Sequence, residues 1–93
     1  MISIIIPTYN NLELFKRAYN SVISQDEKEV EVIVVDDSTT NDIQNYCLNL
    51  PVRYHHNSPA LGAVKNWNSG LKLAKGEFII LMHHDEALTN KNF

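Results

Sequence analysis

Two stretches of this chain carry side chains able to act on a ligand: the adjacent carboxylates Asp36 and Asp37, and the polar run His83, His84, Asp85 and Glu86. Adjacent carboxylates repel unless a ligand, a cation or a hydrogen-bond donor accommodates one of them. Such a pair suits donors like ribose hydroxyls or the N–H of a base. The structural alternative is that one aspartate caps the next helix while the other is solvated. His83 and Asp85 are two positions apart, so in extended backbone they point to one side and can share a divalent cation or a ligand hydroxyl. Asp85, the harder ligand, suits Mg2+ or Mn2+. A hydrolytic zinc site wants a third protein ligand, and the other histidines, His55 and His56, belong to a different segment. The Tyr9 ring either stacks on a nucleobase or covers the edge of a sheet. Lys65 either reaches phosphate oxygens from near a positive helix end or is solvated. Trp67 reads as core, and Cys47 as a small buried hydrophobe.

The elements that must position these residues follow from hydrophobic periodicity. Ile2 to Ile6 is a nearly continuous β-branched run stopped by Pro7, the pattern of a parallel strand buried on both faces, with Thr8 to Asn10 as its exit loop. From Leu12 to Ile23, Leu12, Leu14, Phe15, Ala18, Tyr19, Val22 and Ile23 recur at helical spacing as one apolar face, with Asn10 or Asn11 available as cap. A charged turn, Asp26 to Glu29, leads into a second strand, Val30 to Val35. A helix over about Asn41 to Leu48 turns Ile43, Tyr46, Cys47 and Leu50 inward, and Pro51 ends it. Val52 to His56 is a short third strand. Gly62 to Ala74 is a third helix with Val64, Trp67, Leu71 and Ala74 toward the core, stopped by Lys75 and Gly76. Phe78 to Met82 is the fourth strand.

The order βαβαβαβ predicts an α/β fold, a parallel sheet of about four strands with helices on both faces, because crossovers between parallel strands are right-handed. Ligands bind such sheets outside the carboxyl ends of the strands. The polar clusters Pro7 to Asn10, Asp36 to Ser38 and His83 to Glu86 all fall there.

Composition narrows the classes. The 93 residues make one domain at most, and 44% hydrophobic with 20% charged residues excludes collagen-like and disordered chains. Eight Lys/Arg against eleven Asp/Glu, with no run of like charge, gives no footprint for nucleic acid. The single cysteine excludes an internal disulfide framework and a CxxC motif, which points to a reducing, cytosolic compartment. No apolar run reaches the roughly 20 residues of a membrane helix, and Met1 to Pro7 lacks the features of a secretory signal. The chain is therefore expected to be soluble and cytoplasmic.

Three groups of residues, in order, carry a family resemblance: Ile4-Ile5-Ile6-Pro7-Thr8-Tyr9-Asn10, then Val34-Val35-Asp36-Asp37-Ser38, then Gly62 through Lys65-Asn66 and Ala74-Lys75-Gly76-Glu77-Phe78-Ile79 to His83-His84-Asp85-Glu86. Across essentially the whole chain this resembles the start of a family 2 glycosyltransferase with the Rossmann-like GT-A fold. The resemblance implies inverting transfer of a sugar from a nucleotide-sugar donor, UDP-linked by expectation, to an acceptor hydroxyl, with Mn2+ or Mg2+ on the diphosphate. It implies that the loop matching Pro7 to Asn10 holds the nucleoside, with Tyr9 as stacking aromatic. Asp37 matches the carboxylate that bonds uracil or ribose, with Asp36 in support. Lys65 falls where relatives often have a basic residue near the phosphates. His83-His84-Asp85 occupies the place of the DxD motif, with Asp85 as the metal-binding aspartate.

His83 departs from that motif by replacing its leading aspartate. The acceptor half of such enzymes, with its catalytic base, lies downstream of the matched region, so residues 1–93 read as the donor-binding part, inactive alone, with none of these residues as the catalytic base. Uncovered apolar surface would then favour self-association. The implied acceptor is a glycan or a lipid-linked sugar, with the full protein peripheral at the inner membrane face. A non-catalytic nucleotide-sugar-binding module is the alternative. A phosphate-accepting receiver domain needs its acidic pair after the first strand. A dinucleotide-binding oxidoreductase needs a glycine-rich turn there, and Pro7-Thr8-Tyr9-Asn10 supplies neither.

Overall fold

The computed structural model describes residues 1–24 and 29–82. It contains β1 (Ile2–Thr8), α1 (Leu12–Ile23), β2 (Val30–Asp36), α2 (Asp42–Cys47), β3 (Arg53–His56), α3 (Ala63–Leu73) and β4 (Phe78–Leu81). The strands form one sheet in the order β3-β2-β1-β4, every pairing parallel. The expected α/β alternation is present, with helices on both faces. The expected turn at Asp26 to Glu29 falls largely outside the described residues.

Alternation along the strands sorts their side chains into two cores. Ile4, Ile6 and Val34 point to the face covered by α1 and α2, where Phe15, Ala18, Tyr19, Val22, Ile43 and Cys47 meet them. Phe15 is fully buried, its ring 6.1 Å from those of both Tyr19 and Tyr46. Burial of one such aromatic contributes about 2 to 3 kcal/mol. Ile5, Ile33 and Val35 point the other way, toward α3, where, among the described residues, Leu73 and Ala74 are the partly buried hydrophobics packed against them.

Three expectations are corrected here. Pro7 does not stop β1, which continues through Thr8 in register with Asp36. Pro7 instead ends the ladder on the other side. Met82 N donates to Ile5 O at 2.8 Å, and the return bond, from residue 7 to the Met82 carbonyl, is impossible because proline has no N–H. The second correction concerns α3. Val64 and Leu71, expected inside, are 64% and 42% exposed, while Asn66 and Gly70 are buried. The cause is Gly70, where a Cβ would lie 2.5 Å from Ile5 Cγ2. The missing side chain lets the helix approach the sheet along the Asn66, Gly70, Leu73 line, which turns Val64 and Leu71 outward. Ile23, expected on the apolar face of α1, is also found 57% exposed as the last residue of that helix, and several ends shift by one residue, β2 gaining Asp36 and β3 starting at Arg53.

At the amino ends of the strands α3 is tied down by polar groups. Glu31 Oε2 accepts from Ser3 Oγ at 2.5 Å and from Lys75 N at 2.7 Å, and Glu31 Oε1 accepts from Arg53 Nη1 at 3.0 Å. Arg53 Nη1 also donates to Leu73 O at 2.6 Å, and Gly76 N to Ser3 Oγ at 2.8 Å. The Ser3 hydroxyl chiefly, with the Lys75 N–H and Arg53, holds the Glu31 carboxyl below its ordinary range against the opposing effect of burial.

Candidate functional site

The loops leaving β1, β2 and β3 meet at the carboxyl end of the sheet. Asp36 ends β2 with its side chain wholly buried. Its Oδ1 accepts from Ser38 N at 2.9 Å, an Asx-type turn that shapes the next loop, and its Oδ2 accepts from the Tyr54 hydroxyl of β3. Burial, and then this bond to a carboxylate, push the Tyr54 hydroxyl above its ordinary range. Burial, with the charge of Asp36 adding to it, pushes the Cys47 thiol up to about 12, so Cys47 stays protonated and serves as core rather than nucleophile.

Asp37 is 4% exposed. Its Oδ1 accepts from Asn57 Nδ2 at 3.0 Å and from Leu61 N at 2.7 Å, and its Oδ2 accepts from Gly62 N at 2.8 Å. The repulsion expected between the two aspartates is thus met by protein donors at both. Asp37 binds the loop before α3 to the end of β2. Gly62 suits this place because its φ of 89° is one that a residue with a side chain rarely adopts. Asn57 uses its other amide hydrogen on Asn66 Oδ1 at 2.6 Å, and Asn66 Nδ2 donates to Val35 O at 2.9 Å. This chain of buried amides fixes the amino end of α3 over the sheet. Lys65 lies exposed in the first turns of that helix.

The β1 loop is bound to the β2 loop. Asn10 N donates to Ser38 Oγ at 2.8 Å, Thr39 N donates to Asn10 Oδ1 at 2.8 Å, and Asn10 Nδ2 donates to Thr39 Oγ1 at 3.1 Å. Asn11, not Asn10, caps α1, accepting from Leu14 N at 3.1 Å. His56 Nε2–H donates to Ser38 O at 2.8 Å, so β3 braces the same loop. Tyr9 stands at the rim with 55% of its surface exposed. It does not cover the sheet edge, which leaves its ring open to a ligand.

The structure therefore brings the Pro7 and Tyr9 segment, Asp36, Asp37 and the amino end of α3 with Lys65 to one end of the sheet. His83, His84 and Asp85 follow Met82 in the sequence and lie outside the described residues. Among the described residues no group of three His, Cys, Asp or Glu side chains is placed to hold a metal ion. None of their helices is long and apolar enough to cross a membrane. Sequence reasoning placed Asn10 and Ser38 in the polar clusters but not their bond to each other, and it missed Tyr54, His56, Asn57 and Asn66, which help hold the site together. Asn57 and Asn66 look like ordinary loop and helix-surface residues, and nothing in their spacing shows that they meet.

Comparison with known proteins gives four further findings. The sequence model of glycosyl transferase family 2 matches residues 3–93. The GalNAc(5)-diNAcBac-PP-undecaprenol beta-1,3-glucosyltransferase of Campylobacter jejuni is 34% identical over 93 residues, covering 94% of this chain and 30% of that protein. S. aureus TarS 1-349, solved in complex with UDP, superposes with a TM-score of 0.80 at 34% identity over 92% of this chain and 28% of TarS 1-349. A mannosyltransferase from Pyrobaculum calidifontis, in complex with GDP-Man and Mn2+, gives the same TM-score at 23% identity, again over 92% of this chain and 28% of that one, and shares the fold. The chain thus spans about 30% of the length of the proteins it matches.

Proposed function

The chain belongs to glycosyl transferase family 2, and from that premise we propose that residues 1–93 form the donor-binding part of an inverting transferase that takes a sugar from a UDP-linked donor. The observation that carries this reading is the exposed Tyr9 ring beside the β2 loop in which Asp36 and Asp37 are held. A ring in that place stacks on a base, and UDP is the nucleotide bound by TarS, the relative of known structure at 34% identity. Pro7 lies in β1, two residues before Tyr9, and so anchors the start of the loop beneath the base. Asp37 Oδ2, which takes one bond from Gly62 N, has capacity for a second donor, a ribose hydroxyl or the uracil N–H. Asp36 supports it from within. Lys65 faces the donor phosphates, where its charge balances the diphosphate.

His83, His84 and Asp85 complete the donor site, and Asp85 is the residue that would hold Mn2+ or Mg2+ on the diphosphate. The metal's contribution there is to neutralise charge on the leaving nucleotide. The described carboxylates serve the donor side, so the base that deprotonates the acceptor hydroxyl comes from outside residues 1–93 and the piece alone is inactive. The acceptor is a glycan or a lipid-linked sugar, as the name of the Campylobacter relative states for that protein. The full protein works on the cytoplasmic side, peripheral to the membrane. On β4, Phe78, Ile79 and Leu81 are 68%, 45% and 37% exposed, and isolated chains associate through that surface.

Calorimetric titration of UDP and then GDP into the chain, with and without Mn2+, tests the donor site. We expect metal-dependent binding of UDP, weakened about tenfold in Tyr9→Ala, on the order of the loss of one stacked base. A folded chain that binds neither nucleotide overturns the reading. Binding that survives Tyr9→Ala unchanged removes the ring from the site. Transfer by the full protein separates an enzyme from a module that only binds the donor.

A further inference from the structure

We propose that Asn10 is a positioning residue that holds the Tyr9 ring ready for the base, by clasping the β2 loop across the gap between two strands; the proposal rests on the nucleotide-binding reading of Tyr9. No hydrogen bond or ring contact among the described residues holds the Tyr9 side chain itself. Its placement depends on its two neighbours. Thr8 on one side is 2% exposed and paired with Asp36 in the sheet. On the other side is Asn10, whose every polar group except the carbonyl is spent on the β2 loop. Its N–H goes to Ser38 Oγ, its Oδ1 takes the Thr39 N–H at 2.8 Å and the Thr39 hydroxyl at 3.3 Å, and its Nδ2 donates to Thr39 Oγ1.

The clasp has a firm base. Ser38 N is bound to Asp36 Oδ1 and Ser38 O to His56 Nε2, while Asp36 in turn takes the Tyr54 hydroxyl. A run of hydrogen bonds thus extends from β3 through β2 to the residue after Tyr9. Asn10 also has φ of 49°, the one positive value at a non-glycine residue among those described. Asparagine tolerates this region better than residues with larger side chains, and the backbone turn it permits lets the chain pass from Tyr9 into α1 while the Asn10 amide faces the β2 loop. A ring fixed before binding need not be ordered by the ligand, so the clasp raises affinity without touching the nucleotide.

Two measurements test this. Asn10→Gly keeps the positive φ accessible and retains the N–H to Ser38 while removing the amide clasp. In a double-mutant cycle with Tyr9→Ala, read as UDP affinity with Mn2+, Asn10→Gly should weaken binding about tenfold when Tyr9 is present and less than about twofold when it is alanine. Equal losses in both backgrounds, or no loss in either, overturn the proposal. On the chain without nucleotide, 15N relaxation should show the order of the Tyr9 amide falling in Asn10→Gly while the α1 amides keep theirs. Unchanged order at Tyr9 overturns the clasp whatever the nucleotide does. A clasp that passes this second measurement in a chain that binds no UDP leaves the geometry standing and overturns its role in nucleotide binding.

Discussion

The two faces of the sheet are held by different forces. On the face of α1 and α2, Ile4, Ile6, Val34, Phe15, Tyr19 and Ile43 form a continuous apolar core. On the other face three strand residues, Ile5, Ile33 and Val35, make the whole of the buried apolar cluster. There α3 is held at its two ends by directional bonds, Asp37, Asn57 and Asn66 at the amino end and Glu31, Arg53 and Ser3 at the carboxyl end. Apolar packing is strong but tolerant of small slides, whereas hydrogen bonds fail within a few tenths of an ångström. The face that carries Lys65 toward the site is the one held by the exacting force. The larger apolar core lies on the face that does not carry Lys65.

Three substitutions sharpen or break this contrast. Phe15→Ala on the α1 face should cost the most, about 3 to 5 kcal/mol, through lost burial and a cavity between Tyr19 and Tyr46, measured by urea unfolding. A loss under about 1 kcal/mol would mean that this face is not the main source of stability. Gly70→Ala should come next, at about 1 to 3 kcal/mol, because the new methyl meets Ile5 and Val35. Helix propensity alone predicts the opposite sign, a gain of up to about 1 kcal/mol, so a stabilised variant would show that α3 is free to shift.

Glu31→Gln should have the smallest effect, roughly 1 kcal/mol at pH 7, since Arg53 is substantially exposed and its ion pair adds little. Its distinguishing mark is pH dependence. The folded chain holds the Glu31 carboxyl below its ordinary value of 4.5, so between the two values the unfolded chain binds more protons. Stability from this group is therefore present above about pH 4.5 and is lost as pH falls through the lowered value. The difference between Glu31→Gln and the parent chain should shrink as the pH is lowered below about 4. A difference independent of pH would remove the charge of Glu31 from the account.

The element order and strand cores were legible because the β-branched runs Ile2 to Ile6 and Val30 to Val35 admit few other readings, and α1 follows a clean helical period. The inward face of α3 was not. Periodicity favoured the large apolar residues Val64 and Leu71, yet contact with the sheet was decided by Gly70, where the absence of a side chain mattered more than the hydrophobicity of its neighbours. Pro7 was read as a stop because a missing N–H ends a ladder. The structure keeps that physics but applies it to the β4 side alone. In the site, Asp36 and Asp37 stood out as a charged pair after a buried strand. The pairing of Asn10 with Ser38 and of Asn66 with Val35 did not, because these partners are 28 or more residues apart in sequence, and Asn57 reads as an ordinary loop residue.

The strand order also sets a sequence of events in time. Ile4 pairs with Val32 on one side and with Ile80 on the other, so during synthesis β1 keeps one edge open until β4, which follows β2, α2, β3 and α3 in the chain, has emerged. Closing the longer loop costs only about 0.9 kcal/mol more in chain entropy than closing the shorter one. The delay therefore lies in synthesis and in how little β4 has to bury, with Phe78, Ile79 and Leu81 all partly in water. A nascent chain of this topology exposes the β-branched edge of β1 for as long as it takes to make α2, β3, α3 and β4.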